Sequence, residues 1–494
     1  MLMHILTNQQ KEKTMKRKIV TIAICTLFVV VNSSCDDWLT VQPKNMTTKE
    51  KMFESEGGFE MALVGLYVTL QGIYTPGFIM MGGKGIETMT HNYAESLSST
   101  TTYTYQLYSH NYTDAEVDKE FSYLFQHYYR IIANANALLD GLEQQDNVLS
   151  ADKAALIEGE ALAIRAFCHF ELLRLWGPVP TRVDAQKKYL PYVKILSTSN
   201  YEYVTYEEYV ELLFSDFNRA EELLDSSDPI KNYSNSDLNS SYNSIKGYSE
   251  TFWYYRQKRF NLYGVKALLA RLYLWTGNKT KAYNYAKEVL EAKNPTGEAK
   301  FTLGSQANIN KSDYTFFSEH LIGMYLYEFE DKNGNFKGEN AFLVNTRDVI
   351  TDKLYANETD LRLKLFALSS SSTFGSVYGT QKFSKFKSSD NTDKSVPLVR
   401  LSEMYLILIE TAPLAEANSY YQAFRSARET SNIPLTEDTR LEEMVKEYVR
   451  EFFSEGQSFF AHKRLNRTTL FLSGATIEEN EYILPIPSVE LGFY

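Results

Sequence analysis

The chain is poor in the residues that most often carry chemistry. Only three of its 494 residues are cysteine and seven are histidine. Cys25 lies inside an apolar N-terminal run, Cys35 closely follows it, and Cys168 lies in an apolar, helix-patterned segment. If the first leaves with a leader and the second is modified, no pair remains for an intrachain disulfide, and Cys168 reads as a buried, inert thiol. His4, His91, His110, His127, His169, His320 and His462 form no His-x-x-x-His pair, and there is no cysteine cluster, so zinc spacing is absent. No Gly-x-Ser-x-Gly elbow occurs. Gly77-Phe-Ile-Met-Met-Gly-Gly-Lys84 misses a phosphate loop by one residue, with Gly85 in the Ser/Thr position, and reads as a glycine-rich turn. Asp331-x-Asn333 beside Gly334 reads as a solvated turn with the glycine misplaced for calcium. Nothing calls for a metal or a cofactor. Positive charge is also scarce: 51 Lys and Arg stand against 62 Asp and Glu, a formal net charge of −11. Phosphate contacts need Lys and Arg, so nucleic acid is excluded as a partner. No apolar run reaches the ~20 residues of a spanning helix.

What the N-terminus does have is an export pattern. Lys16, Arg17 and Lys18 precede the 13-residue apolar run from Ile19 to Val31, and Ser33 and Ser34 precede Cys35-Asp-Asp-Trp. That order marks a secretory signal, expected over residues 1–34 with Met15 as the true start. A cysteine at the cleavage point marks a bacterial lipoprotein, so Cys35 is the expected lipidation site, although Asn32 stands where a leucine is more usual. Each buried acyl methylene contributes ~0.8 kcal/mol, and two or more chains anchor stably. The mature chain, residues 35–494, is therefore expected to be tethered to a membrane.

Helical periodicity dominates the remainder. Phe121–Leu142, Glu160–Trp176 and Tyr206–Leu224 read as helices, the second with Leu162, Ala166, Phe170 and Leu173 on one stripe and Gly177-Pro178 as its stop. Val265–Trp275 and Lys279–Glu291 form a helix pair about the turn Thr276-Gly277-Asn278, where Gly277 permits positive φ. Leu398–Thr411 and Ala415–Thr430 form a similar pair. Such pairs resemble tetratricopeptide units separated by long insertions. Residues 71–110 and 226–249 are polar or glycine-rich insertions, and 300–397 is mixed; Tyr103, Tyr105 and Leu107 alternate with polar residues as in a short strand. Loops this long are usually functional or disordered.

Several segments together resemble the SusD/RagB (starch-utilisation-system D) family of Bacteroidetes outer-membrane lipoproteins. They are Cys35-Asp-Asp-Trp-Leu-Thr-Val-Gln-Pro-Lys44, Gly57-Gly58-Phe59 with Ala62-Leu63-Val64-Gly65-Leu66-Tyr67, and Glu160-Ala-Leu-Ala-Ile-Arg-Ala-Phe167 running into Leu175-Trp-Gly-Pro-Val-Pro180. Ala267-Leu-Leu-Ala-Arg-Leu-Tyr-Leu274, Leu401-Ser-Glu-Met-Tyr-Leu-Ile407, Arg450-Glu-Phe-Phe-Ser-Glu-Gly456 and Tyr482-Ile-Leu-Pro-Ile-Pro487 follow in the family's order. Pro413 interrupts a run that the family usually continues and is expected in a helix–helix turn; Phe459-Phe-Ala-His-Lys-Arg464 lacks the tryptophan often found there. The resemblance implies a mostly α fold: one SusD-like domain over 35–494, with an N-terminal part to residue 225 and a RagB/SusD part over 226–494. Its scaffold would be four tetratricopeptide-like helix pairs carrying irregular insertions and a few short strands. It further implies a glycan-binding lipoprotein on the outer membrane, with a SusC-like TonB-dependent transporter as partner. Asp36-Asp37 fits the family's surface-export signals.

Composition supports binding over catalysis. The chain holds 36 Tyr and 29 Phe, and tyrosine presents a flat apolar body, a hydroxyl and little entropy to lose. Tyr128, Phe170, Tyr273, Tyr285 and Tyr405, like Trp176 and Trp275, sit at core spacing in helices. Loop residues are the candidate ligand contacts: Trp253, Tyr254 and Tyr255 as a stacking platform, Tyr248 beside them, Tyr74 in the first insertion, and His91 and Asn92 beside Tyr93 as hydrogen-bonding groups. The alternatives are a peptide-binding RagB-like importer component, a transporter lid with little affinity of its own, and a surface glycoside hydrolase using an unrecognised carboxylate pair.

Overall fold

A computed structural model describes residues 49–75, 80–81, 85–94, 99–197, 199–240, 245–326, 344–356, 359–371, 373–383 and 395–491. Cys35 and the leader, most of the glycine-rich 77–84 turn and the 331–335 turn lie outside the described residues. Residues 1–52 and 53–494 separate into two units. In the first, Lys49–Met52 form one helical turn; everything below concerns the second.

In chain order its helices and strands are α1 Glu56–Tyr74, α2 Tyr103–Tyr108, α3 Ala115–Gln144, α4 Ala151–Trp176, β1 Lys188–Pro191, β2 Tyr203–Thr205, α5 Tyr206–Ser227, α6 Asn235–Leu238, α7 Leu262–Trp275, α8 Lys279–Leu290, α9 Gln306–Asn310, β3 His320–Tyr325, β4 Val344–Thr346, β5 Phe366–Ser371, β6 Gly375–Thr380, β7 Ser395–Arg400, α10 Leu401–Thr411, α11 Leu414–Ala427, α12 Glu437–Glu451, α13 Ser458–Arg464 and α14 Ser488–Leu491. The strands form three small antiparallel sheets, β1–β2, β3–β7 and β4–β6–β5. The helices carry the fold, as expected. Among the described residues no helix is long and apolar enough to cross a membrane.

The helix ends follow local chemistry. Ser55, Asp114, Ser150 and Asn278 each accept a first-turn N–H of α1, α3, α4 and α8, and Thr205 closes a capping box with Glu208 on α5. Gly277 takes φ +81 in the α7–α8 turn, and Pro413 sits at the N-cap of α11, both as the sequence suggests.

Helix α4 is the axis. The sequence predicts one apolar stripe, but residues 159–176 are buried all round, between α3, α5, α1 and α7. Its charged side chains survive burial because each is paired. Arg165 grips Asp216 of α5 through two 2.7 Å bonds, and Arg174 bonds Glu171 at 2.5 Å. The carbonyls at its C-terminal end meet Lys463, whose ammonium donates to the oxygens of Arg174, Leu175 and Gly177 at 2.7, 3.2 and 2.9 Å. Trp176 and Leu175 in turn bind the 482–487 segment, through Trp176 Nε1 to Pro485 O and Leu484 N to Leu175 O.

Two expectations are corrected. Tyr103–Leu107 is helical, not a strand: Thr102 accepts from Tyr105 N, and Tyr103 and Leu107, four apart, share a face on which Leu107 is buried. Residues 398–400 belong to β7 rather than to the helix that begins at Leu401. The 226–249 insertion, mostly polar, holds a 3-10 turn at Pro229–Lys231 and helix α6 and buries Ile230, Leu238 and Ile245.

Candidate functional site

Helix α1 has two apolar faces. Phe59, Leu63, Leu66, Leu70 and Ile73 enter the core. On the other side Val64 and Val68, one turn apart, stay exposed and form one wall of a groove of about 620 Å³. The facing wall is the segment Thr251–Arg259, closed at one end by Met324 and Tyr325 of β3. The volume falls within the ~300–1,000 Å³ of small-molecule sites.

The facing wall is held by buried charge. Arg256 is fully buried, bonds Asp228 through Nε at 2.8 Å and Nη2 at 2.9 Å, and reaches Glu160 of α4 at 2.5 Å. Arg259 bonds the same Glu160 carboxylate at 2.7 and 3.1 Å. Burial opposes the Arg256 charge, but the Asp228 and Glu160 carboxylates outweigh that and hold its pKa above the usual guanidinium value. Immediately ahead of these anchors Tyr255 adopts φ +56, a conformation uncommon outside glycine, with its N–H donated to Leu238 O at 2.7 Å. Held backbone of this kind clusters at ligand sites.

The polar tips of several lining residues face inward. Tyr67 Oη donates to Glu160 and accepts from Phe260 N; burial and then the Glu160 charge push its phenol well up. Tyr254 Oη accepts from Ile245 N and donates to Tyr248 O. Gln71 Nε2 donates to Tyr325 O. Lys258 Nζ lies 4.8 Å from the Tyr325 ring centroid and 5.4 Å from that of Tyr255. The groove is therefore lined mainly by aromatic and aliphatic carbon.

Of the residues singled out from sequence, Tyr254 and Tyr255 line this groove. Trp253 turns away, its ring 5.0 Å from Tyr248, which packs edge-on to Tyr233. Tyr74 is buried, its hydroxyl 2.9 Å from that of Tyr128. His91, Asn92 and Tyr93 lie elsewhere, in a loop fastened to the C-terminal region. Asn92 donates to Ser458 Oγ, Tyr93 donates to Ser454 Oγ, and His91 bonds Ser473 and Tyr108 O while stacking on Tyr108 at 3.5 Å. Burial lowers the His91 pKa to about 4. The buried Glu87 centres that fastening, accepting from Ser454 N and Gly456 N at 2.8 Å each. Sequence reasoning missed Tyr67, Phe252, Tyr325, Val64 and Val68. A signal existed for the last two: an apolar i, i+4 pair opposite a complete core stripe leaves a second apolar face to account for.

Three carboxylates, of Glu56, Glu60 and Glu250, converge near the groove rim with oxygens within 4.8 Å of one another. The Lys153 ammonium occupies their focus, at 2.8 Å from Glu60 and 2.5 Å from Glu250 and bonded also to Glu56. Burial works against its charge, and the three carboxylates overcome it, raising its pKa. The cluster is thus already neutralised from within.

Comparison with known proteins agrees with this architecture. Residues 37–236 match the SusD-like family described as starch-binding and associating with the outer membrane. Two curated relatives from Formosa agariphila, SusD-like proteins P25 and P38, are 28% and 27% identical over 172 and 213 residues, or 33% and 42% of this chain. These matches span only 31% and 38% of the relatives' own lengths. A SusD superfamily structure from Bacteroides thetaiotaomicron VPI-5482 superposes with a TM-score of 0.66 at 19% identity, covering 89% of this chain and 98% of that one. A structure described as a putative sugar-binding protein from Bacteroides vulgatus ATCC 8482 gives 0.64 at 20% identity, covering 89% and 96%. A laminarin-binding SusD-like protein gives 0.61 at 16%, covering 89% and 98%. The chain thus shares its fold with SusD superfamily structures, and its residues 37–236 resemble the SusD-like family in sequence.

Proposed function

We propose that this chain is a glycan-binding lipoprotein of the outer membrane, anchored through Cys35 and exposed on the cell surface. It captures an oligo- or polysaccharide and passes it to a partner TonB-dependent transporter. The observation that carries the binding role is the groove: Tyr255 and Tyr325 bring aromatic carbon to it for the C–H groups of sugars, on a wall tied down by buried ion pairs. The starch-binding description of the family and the laminarin-binding relative support the ligand class. Binding is favoured over hydrolysis because the nearby carboxylates are committed, Glu60 to Lys153 and Glu160 to Arg256 and Arg259. A hydrolase needs one carboxyl free to give a proton and another free to attack or activate water.

A glycan array probed with the full chain tests the reading. Saturable binding to at least one polysaccharide is expected, with Kd in the micromolar to millimolar range, roughly −8 to −4 kcal/mol. Silence across the array would contradict it.

A further inference from the structure

The two walls of the groove differ in chemistry, and the difference bears on which glycan enters. Val64 and Val68 are 57% and 59% exposed, and Met61 beside them on α1 is 64% exposed. Large apolar side chains grouped on one exposed stripe mark a contact surface. The hydroxyls of Tyr67 and Tyr254 and the amide of Gln71 are spent on the protein itself. A sugar hydroxyl lodged against the valines would lose water and gain no partner, a loss that disfavours an unsubstituted hydroxyl there. Charge points the same way. Arg259 is held by Glu160, Glu60 by Lys153, and Lys258 lies among the rings of Tyr255, Phe317 and Tyr325. This compensated surface complements an uncharged occupant better than a uronate or a sulfate ester.

We propose that the groove selects a neutral glycan bearing methyl groups, either O-acetyl esters or the methyl of 6-deoxy sugars. Sugar C–H groups pack on the aromatic carbon of Tyr255 and Tyr325, and the methyls lie against Val64 and Val68. The inference rests on the glycan-binding reading above and adds the feature by which the groove discriminates.

The test uses calorimetry on the full chain with O-acetylated glucomannan before and after mild alkaline deacetylation, and with a rhamnose polymer against a mannose polymer. One methyl in an apolar site is worth roughly three- to thirtyfold when part of the site is open. The acetylated form should bind tighter than the deacetylated form by that factor if acetyl groups are read, and the rhamnose polymer tighter than the mannose polymer if deoxy methyls are read. The double variant Val64→Thr, Val68→Thr keeps the shape of both side chains and removes apolar surface at exposed positions. It should erase the preference, so that the two members of each pair bind alike. Equal affinity for both members of each pair would overturn the inference and leave glycan binding standing. Binding of none of the four would overturn both. Preference retained in the double variant would place the methyl contact elsewhere and overturn the assignment to α1.

Discussion

Lys463 is buried in the core, and its ammonium is the donor for three carbonyls at the end of α4. Burial first and then Arg174 push its pKa well down, yet as a donor it has no substitute nearby. Lys463→Met keeps the stem and removes the donor, leaving the oxygens of Arg174 and Gly177 without it, while Leu175 O keeps Leu484 N. At ~1–3 kcal/mol for a buried group left unsatisfied, a loss of roughly 3 kcal/mol is expected, read as a lowered urea midpoint with an unchanged slope. This role could not be read from the sequence. Phe459-Phe-Ala-His-Lys-Arg464 stands out there for a missing tryptophan, and nothing local says that its lysine reaches back almost 290 positions. Tyr255 is a contrasting case. Its type and its place after an insertion made it a candidate ligand contact, and it lines the groove. Its left-handed backbone, just ahead of the buried Arg256, was hidden.

The segments that carry the family resemblance are joined to one another by buried charge. Arg271 of α7 pairs with Glu403 of α10 at 2.7 and 2.6 Å. Glu160 of α4 holds Arg256 and Arg259. Glu451 at the end of α12 receives Arg400, Arg428 and Arg362, and Glu455 receives Arg400 and Lys382. These residues lie far apart in the chain, so their pairing registers helices and strands against each other. Breaking one pair leaves an uncompensated charge, and Glu403→Ala is expected to destabilise by about 3–5 kcal/mol. Arg271→Met on the same background should recover part of it, which a double-mutant cycle by thermal unfolding would detect. The helices themselves were legible because caps, stops and a 3.6-residue period are local. The stretch from Tyr103 to Leu107 misled because five alternating residues fit both a strand and one helical turn. The full burial of α4 misled because its charged positions look solvated until their partners are known.

For the molecule as a whole, the buried histidines and carboxylates set the pH response. Burial lowers His169 and His320 to about 3 and His462 to about 4. The same groups in an unfolded chain take protons near ~6.5. The unfolded state therefore binds more protons below that pH, and stability falls as pH drops, by roughly 1.4 kcal/mol per unit for each histidine. Burial opposes ionisation of Glu447, but Arg362 and Arg450 hold its carboxyl down at about 2. Its stabilisation is present above ~4.3 and is lost as pH falls from there towards 2. The melting temperature should accordingly be highest near neutrality, decline below pH 6.5 and steepen below pH 4.5; a flat profile from pH 7 to 5 would contradict the histidine assignments.

At the same scale the scaffold and the site differ in legibility. The scaffold's motifs are spread along the chain in a fixed order, so sequence carries them. The groove is assembled from α1, the 251–259 segment and the end of β3, and no single stretch announces it. The central claim is that this groove binds glycan. The most direct test is titration calorimetry of the full chain against the polysaccharide that the array identifies, with Tyr255→Ala, Tyr325→Ala in parallel. Loss of both rings should weaken binding about tenfold or more, at least ~1.4 kcal/mol, with the melting temperature held. Unchanged affinity in that folded variant would contradict the account and move the ligand to another surface.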